Sequence, residues 1–324
     1  MVMFSHVAPR SRRVLLLIVP LCALLALAVL LLVSFFPTRA VPASAQAEVK
    51  TAHYLTHFQN DLGVVSDVKL TKVSRSSEKS KQGSLILVNS DYPCAIYESS
   101  LVSVYEHSGG RYLLSGIDVR LNRDVLPDLN EMMEDFQKIT GNRHVMLSDG
   151  FRSEASQKTV YERARKLHGE TAPAARPGCS DYHTGCALGF SLYTDEDTVM
   201  DFTGEDDCAW LLRNCYRYGF VLRYPEDKTE ITGYPGEAWH FRYVGRPHAY
   251  LMHLKNYCLE EYLDYVSHYS AEGEHIRVTD NENKTYEIYC VPASGERTAL
   301  PVPADKSYTV SGDNRGNFIV TVKL

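Results

Sequence analysis

The sequence has no surplus of positive charge. Its 324 residues contain 34 Lys and Arg against 40 Asp and Glu, which gives a net charge of -6. This balance argues against nucleic acid as a partner, because binding to phosphate backbones requires a basic surface. The chain also lacks an internal repeat and a Gly-rich nucleotide-binding loop. Its length and ordinary composition allow a substantial core, so we expect one main domain with an extension.

Charged residues are absent from residues 14–36, an apolar run that follows three arginines within residues 10–13. At ~1.5 Å per residue, a helix of this length crosses a hydrocarbon core of ~30 Å. The arginines predict that residues 1–13 stay in the cytoplasm and that the rest is extracytoplasmic. The alternative is a cleaved signal peptide, because Ala43-Ser-Ala45 resembles a cleavage site. We favour an uncleaved, single-pass anchor in the cell membrane, since signal h-regions span only ~7–15 residues.

Eight cysteines are present, and one of them, Cys22, lies in the apolar run. The other seven are an odd number, so at least one is free or pairs between molecules. Cys208 and Cys215 fall on one predicted helix, about 10 Å apart, which is beyond the reach of a disulfide. We expect most of the cysteines to be small buried hydrophobic residues.

The pattern along the chain predicts a linker, a main domain and an extension. Residues 37–82 are rich in Ser, Lys and Ala and are typical of a solvated linker. Residues 83–270 form the main domain, and residues 271–324 alternate in a way that predicts a small β extension of three to five strands. Within the main domain, the predicted strands are 84–89 and 144–148, and the predicted helices are 124–139, with Asp124 as N-cap, 154–167, 205–218 and 247–265.

One segment combines residues that suit metal chemistry: Gly233-Tyr-Pro-Gly-Glu-Ala-Trp-His-Phe-Arg-Tyr-Val-Gly245. It places Glu237 three residues before His240. In a zinc hydrolase, such a His ligates the metal and such a Glu takes a proton from metal-bound water. The spacing alone also occurs by chance, and the two residues could instead form a buried hydrogen-bonded pair.

The whole segment resembles the Glu-x-Trp-His-Phe-Arg-Tyr-Val-Gly block of VanY-type zinc D-alanyl-D-alanine carboxypeptidases, which are D,D-peptidase (hedgehog-like) metallopeptidases. Ser148-Asp-Gly-Phe-Arg-Ser153, followed by Gln157, resembles the family's Ser-Gly-Tyr-Arg-Ser-x-x-x-Gln block. A third segment, Ser180-Asp-Tyr-His-Thr-Gly-Cys-Ala-Leu-Gly189, is similar to the family's zinc motif, Ser-x-His-x-x-Gly-x-Ala-x-Asp.

The zinc motif departs from the family at both ligand positions. Tyr182 stands at the first zinc ligand, where the family has His, and Gly189 stands at the second, where the family has Asp. His183 follows one residue late. A phenol is a poor replacement for imidazole, because it must lose a proton with an intrinsic pKa near ~10.

The resemblance implies an α+β fold, with an antiparallel sheet and flanking helices. It implies hydrolysis of the last peptide bond of peptidoglycan stem peptides that end in D-Ala-D-Ala, with zinc as cofactor. By position, Glu237 is the catalytic base and His240 the third zinc ligand. Arg152 is the substrate clamp, Ser180 contacts the terminal carboxylate, and Gln157 belongs to the same substrate-binding block. Two alternatives are open: Arg152 could instead pair with a structural carboxylate such as Asp149, and Ser180 could be a loop or capping hydroxyl.

Two hypotheses follow from these substitutions. In the first, the chain is a membrane-anchored, extracytoplasmic carboxypeptidase-like protein that binds stem peptides, with zinc catalysis impaired or lost. The alternative is an active zinc carboxypeptidase with a rearranged ligand set, in which His183, Cys179 or Cys186 replaces a missing ligand. Whether the chain is an enzyme depends on this choice.

Overall fold

The computed structural model describes residues 64–65, 69–96, 98–171, 173–194 and 197–324. These residues belong to one compact unit, His57–Leu324. The predicted membrane run at 14–36 and most of the predicted linker lie outside the described residues. Within the described ranges, no helix is both long and apolar enough to span a bilayer.

The described residues form helices and mainly antiparallel sheets, which confirms the predicted α+β class. The strands are β1 (Val64–Val65), β2 (Leu70–Ser76), β3 (Leu101–Ser103), β4 (Leu113–Leu114), β5 (Arg120–Asn122), β6 (Val145–Asp149), β7 (Ala187–Tyr193), β8 (Val199–Asp201), β9 (Phe220–Leu222), β10 (His240–Tyr243), β11 (Glu274–Thr279), β12 (Thr285–Pro292), β13 (Arg297–Pro303), β14 (Tyr308–Gly312) and β15 (Asn317–Lys323). The α-helices are α1 (Val104–Ser108), α2 (Leu126–Thr140), α3 (Glu154–His168), α4 (Ala209–Asn214), α5 (Thr229–Thr232), α6 (Arg246–Lys255) and α7 (Leu259–Ser267).

A six-stranded sheet carries the three motif segments. Its order is β4-β6-β7-β10-β9, and β8 pairs with β7. Only β4 and β6 pair in parallel. Because β7 lies between β6 and β10, the segments that resemble the family meet on neighbouring strands.

Helix α2 packs its predicted apolar stripe against this sheet. Leu129, Met132, Met133 and Phe136 are fully buried in one core cluster with residues of β6, β7 and β10. The helix prediction is therefore confirmed, but Asp124 is not the N-cap. The side chain of Asn122 instead accepts a hydrogen bond from the Asp124 backbone N–H, and a 3₁₀ turn leads into the helix.

Two of the other predicted helices are divided in the structure. The segment 205–218 consists of a 3₁₀ turn, the short helix α4 and a second 3₁₀ turn. The segment 247–265 breaks at Asn256, whose φ of 53° is left-handed and ends α6. Helix α7 then starts at a capping box between Cys258 and Glu261. Helix α3 matches its predicted bounds to within one residue.

The segment predicted as a first strand, 84–89, is buried and does not join a sheet. Leu85 and Val88 are no more than 1% exposed. Side chains rather than a neighbouring strand satisfy part of its backbone: Arg242 donates to the carbonyls of Ser84 and Ile86. The apolar pattern correctly predicted that this segment is buried. Long-range hydrogen bonds from side chains take the place of the strand pairing that the pattern also predicted.

The C-terminal β unit has five strands of its own, β11 to β15, which agrees with the predicted three to five. It also recruits two strands from the predicted linker. β1 pairs with β11, and β2 pairs with β13 over seven residues. The linker prediction is therefore wrong for residues 70–76. Strand β13 is not among the predicted strands. Its Pro301 and Pro303 have no N–H group to donate, which fits a strand that forms only a two-stranded sheet with β2.

His248 connects the main domain to the β unit. It lies on α6, where Nδ1 is 2.6 Å from the Tyr262 hydroxyl and Nε2 is 3.0 Å from the Thr321 hydroxyl on β15. Burial lowers the pKa of His248 from its ordinary 6.5 to about 3. The imidazole is therefore neutral at the pH values where the same side chain in an unfolded chain is protonated.

This difference predicts a pH dependence of stability. Between pH 6.5 and about 3, the unfolded chain binds a proton at His248 that the folded protein does not bind. The contribution of His248 is complete above its unfolded pKa and is lost as the pH falls, at about 1.4 kcal/mol per pH unit. Urea titrations should show that the wild type loses about 2 kcal/mol more unfolding free energy between pH 7 and pH 5 than His248→Gln. Parallel pH curves for the two proteins would contradict this assignment.

Candidate functional site

The three motif segments meet at Gly189 on β7. On one side, Asp149 at the end of β6 pairs with Gly189, and on the other side His240 at the start of β10 pairs with it. The chain then leaves β6 through Gly150 and Phe151 to Arg152. Sheet register thus places the Asp149 carboxyl group and the His240 imidazole on either side of one residue that has no side chain, and Arg152 follows three residues after Asp149.

The predicted site residues line one small cavity of about 160 Å³. Its walls include Arg152, Gln157, Ser180, Glu237 and His240. The structure therefore brings together all five residues that the resemblance implied. Their catalytic or binding roles stay predictions.

Tyr182 forms part of the cavity wall and stacks on His240. The two ring centroids are 4.5 Å apart, with an angle of 23° between the ring planes. The Arg152 guanidinium carbon lies 4.0 Å from the centroid of the same tyrosine ring. Burial, followed by the nearby Asp149 carboxylate, raises the pKa of Tyr182 well above its ordinary value. The phenol is therefore a neutral group in contact with two site residues.

Tyr182 and Asp149 together fill the space in which a side chain at position 189 would start. A Cβ atom placed on Gly189 would lie 3.0 Å from the Tyr182 hydroxyl oxygen and 3.1 Å from the Asp149 Cβ atom. Contacts this short force the neighbours to move. The two departures from the family motif, at positions 182 and 189, are therefore linked, because the Tyr182 hydroxyl lies in space that a side chain at position 189 would need.

His240 contacts carboxylates through both ring nitrogens. Nδ1 is 2.8 Å from Glu237 Oε2, and Nε2 is 3.6 Å from Asp181 Oδ2. The second contact is too long for a hydrogen bond, and both of its atoms are buried without a hydrogen-bond partner in the described chain. Burial alone would lower the pKa of His240, but the Asp181 and Glu237 carboxylates outweigh this effect, and the pKa is raised.

Beneath the cavity, Asp181 belongs to a buried ionic network. Its Oδ1 atom accepts a hydrogen bond from Arg242 and lies 3.7 Å from Arg223 Nε. Arg223 also donates two hydrogen bonds to Glu260 on α7. Burial alone would raise the pKa of Asp181, but attraction by Arg242, His240 and Arg223 holds it well below its usual range. This network is not among the residues predicted from the sequence, although Arg242 in β10 and Arg223 directly after β9 lie between apolar or aromatic residues, a pattern that indicates a buried acid.

Arg152 forms an ion pair with Asp149. Asp149 Oδ1 accepts hydrogen bonds from Nε at 3.1 Å and from Nη2 at 2.6 Å. Nη1 makes a longer contact of 3.4 Å with Gln157 Oε1. Gln157 in turn donates to the Ala175 carbonyl at 2.7 Å, which ties helix α3 to the loop on the other side of the cavity.

His183, which was proposed as a replacement ligand, is committed to the backbone. Its Nε2 accepts a hydrogen bond from the Gly178 N–H at 3.0 Å, so its Nδ1 carries the proton and donates to the Arg152 carbonyl at 2.7 Å. Neither nitrogen has a free lone pair, and the side chain does not line the cavity. In this structure His183 is therefore not placed to bind a metal at the cavity, and its role as a possible metal ligand stays a prediction. The sequence evidence for His183 as a ligand was its position one residue after Tyr182, and closeness in sequence does not determine where a side chain points.

The side chains present do not fit a catalytic zinc ion. Such a site requires three protein ligands that converge on one point. Here the two carboxylates near His240 face opposite nitrogens of its ring, so they cannot meet at one ion. Among the described residues, no group of three or more His, Cys, Asp or Glu side chains is placed to hold a metal. Cys179 and Cys186 offer no substitute in this structure, because both are buried and neither lines the cavity.

Comparison with known sequences identifies similar proteins. A model of the VanY family, described as D-alanyl-D-alanine carboxypeptidase, matches residues 118–246. A D-alanyl-D-alanine carboxypeptidase of Enterococcus faecium is 36% identical over 253 residues, which cover 76% of this chain and 77% of that protein.

Solved structures are similar as well. The vancomycin resistance D,D-dipeptidase VanXYg, in complex with a D-Ala-D-Ala phosphinate analog, is 30% identical, with a TM-score of 0.69. The match covers 79% of this chain and 100% of that one. A vancomycin resistance D,D-pentapeptidase VanY in complex with Zn(II) is 31% identical, with a TM-score of 0.44 over 56% of this chain and 98% of that one. The zinc ion is a property of that protein's structure.

Proposed function

Because this chain belongs to the VanY D-alanyl-D-alanine carboxypeptidase family, we propose that it binds peptidoglycan stem peptides that end in D-Ala-D-Ala and has lost zinc-dependent hydrolysis. The observation that carries the proposal is the composition of one cavity. Arg152, Ser180 and Glu237 remain on its wall, whereas Tyr182 and Gly189 stand where the family has ligands.

The cavity has the size and the groups for the end of a peptide. Its volume of about 160 Å³ is small, since sites for drug-sized ligands measure about 300–1,000 Å³. It therefore suits a terminal residue or two rather than a whole stem peptide. Arg152 supplies a guanidinium, which is suited to a carboxylate because its planar fork donates parallel hydrogen bonds. Ser180, 3% exposed, adds a hydroxyl on the same wall.

The residues around His240 support the loss of hydrolysis. Glu237, the base by position, is in contact with the imidazole at 2.8 Å. Without a metal to polarise it, water keeps a pKa of about 15.7 instead of about 7. A carboxylate alone is too weak a base for that step. The alternative of a rearranged zinc site finds no support from His183, whose nitrogens are both bonded.

We place this function outside the cytoplasm, on a membrane anchor formed by residues 14–36. The apolar run and the arginines that precede it support this location, which is also where stem peptides occur. If the anchor is retained, the full-length protein should stay in the membrane pellet after alkaline carbonate extraction, and protease added to intact cells should digest residues 69–324. Release of the protein into the medium would instead indicate a cleaved signal peptide.

Peptide binding can be tested by calorimetry. We expect an N-acetylated peptide ending in D-Ala-D-Ala to bind the wild type, and Arg152→Ala to weaken binding by about 1.5–3 kcal/mol, because a charge-assisted contact is lost. Arg120→Ala is a matched control, since Arg120 pairs with Glu98 outside the cavity. Equal affinity of the wild type and Arg152→Ala, or no binding by either, would remove the proposal.

Zinc content tests the lost chemistry. The unmodified protein should contain far less than one zinc per chain after dialysis, by elemental analysis. Tyr182→His with Gly189→Asp should raise occupancy, and adding Asp149→Ser should raise it further, because Asp149 crowds a side chain at 189. Gly189→Asp alone should bind little, since the Tyr182 hydroxyl remains in the way. Stoichiometric zinc in the wild type, with release of D-Ala that depends on Glu237, would show that hydrolysis is retained.

A further inference from the structure

Asp149 is a third departure from the family motifs, and it lies in the same place as the other two. With Gly150, Arg152 and Ser153 aligned to the block Ser-Gly-Tyr-Arg-Ser, Asp149 stands at the first serine. A small hydroxyl in the family block is thus a carboxylate in this chain. Asp149 on β6 pairs with Gly189 on β7, so the two substitutions lie opposite each other on neighbouring strands.

The Asp149 carboxylate is hydrogen-bonded to the same guanidinium group that the proposed ligand has to bind. Both Nε and Nη2 of Arg152 donate to Asp149 Oδ1, at 3.1 and 2.6 Å. These are two donors of the kind that a ligand carboxylate engages. The remaining group, Nη1, is directed at Gln157 Oε1 through a contact of 3.4 Å. Arg152 therefore already holds a carboxylate that belongs to the protein.

The position of Asp149 depends on its neighbours. The Asp149 Cβ and Oδ2 atoms would lie 3.1 and 3.5 Å from a Cβ on Gly189, so the glycine gives the carboxylate its room. Tyr182 packs against the guanidinium at 4.0 Å and holds Arg152 from another direction. The pair is also accessible: 20% of the Arg152 side chain and 38% of the Asp149 side chain are exposed. Arg152 itself lines the cavity, so a ligand bound there can reach its guanidinium.

We propose that Asp149 is an affinity-determining residue, an internal carboxylate that competes with the carboxylate of the peptide for Arg152. The inference rests on the proposed function, because it takes the peptide terminus as the competitor. The resident ion pair must open before a ligand carboxylate binds in the same fork. Removal of Asp149 should therefore strengthen peptide binding, which is the opposite of what removal of a direct ligand contact does.

The test is calorimetry on the full-length protein with two probes: an N-acetylated peptide ending in D-Ala-D-Ala and the same peptide as its C-terminal amide. Asp149→Ser, which installs the residue of the family block, should bind the acid on the order of tenfold more tightly than the wild type, because a charge-assisted contact becomes available to the ligand. Asp149→Asn keeps the size without the charge and should change affinity in the same direction. The affinity for the amide should stay the same, since it has no carboxylate to compete.

Glu98→Gln is the matched control, because it removes a carboxylate that pairs with Arg120 outside the cavity. It should leave the affinity for both probes unchanged. Equal affinity of Asp149→Ser and wild type for the acid would overturn this inference and leave the proposed function standing. A gain for acid and amide alike, or weaker binding by Asp149→Ser, would also overturn it, since Asp149 would then act on packing or position Arg152. No binding by either protein would overturn both proposals.

Discussion

The missing side chain at Gly189 is the constraint on which the arrangement of the cavity depends. Gly189 lies in the middle of the sheet, paired with Asp149 on one strand and His240 on the other. The space beside Gly189 is occupied by two groups, the Tyr182 hydroxyl and the Asp149 side chain. Asp149 is hydrogen-bonded to Arg152, and Tyr182 contacts both Arg152 and His240. The departures from the family motifs at positions 149, 182 and 189 therefore form one set of contacts.

The second support is electrostatic and lies beneath the cavity. Asp181, Arg242 and Arg223 are almost fully buried and neutralise one another, with Glu260 as the outer partner. Such networks are stable only when every charge is paired, because an uncompensated buried charge costs several kcal/mol. Arg242 also fixes the backbone of residues 84–86. The floor of the cavity is thus a network in which each charged group lies beside an opposite charge.

The sequence predicted the parts of the structure that local pattern determines. The stripe on α2 and the three family-like segments located the core and the cavity, and the motif residues do lie together. It could not show that Asp149 faces Gly189, because strand register is a long-range property. The orientation of His183 depends on backbone groups at Gly178 and Arg152, and the role of Asp181 depends on arginines about 40 and 60 residues away. Strand β2 was missed because its partner, β13, lies more than 200 residues later in the chain.

The central claim is that Tyr182, not a metal ion, is the partner of His240. It can be tested most directly by a crystal structure of the protein grown with excess Zn²⁺, with anomalous scattering recorded at the zinc edge. The account predicts that Tyr182 stays stacked on His240 and that no anomalous peak lies within about 2.1 Å of either imidazole nitrogen, the length of a zinc–nitrogen bond. A zinc peak bonded to either imidazole nitrogen of His240 would contradict it, whether or not Tyr182 stays stacked on the ring.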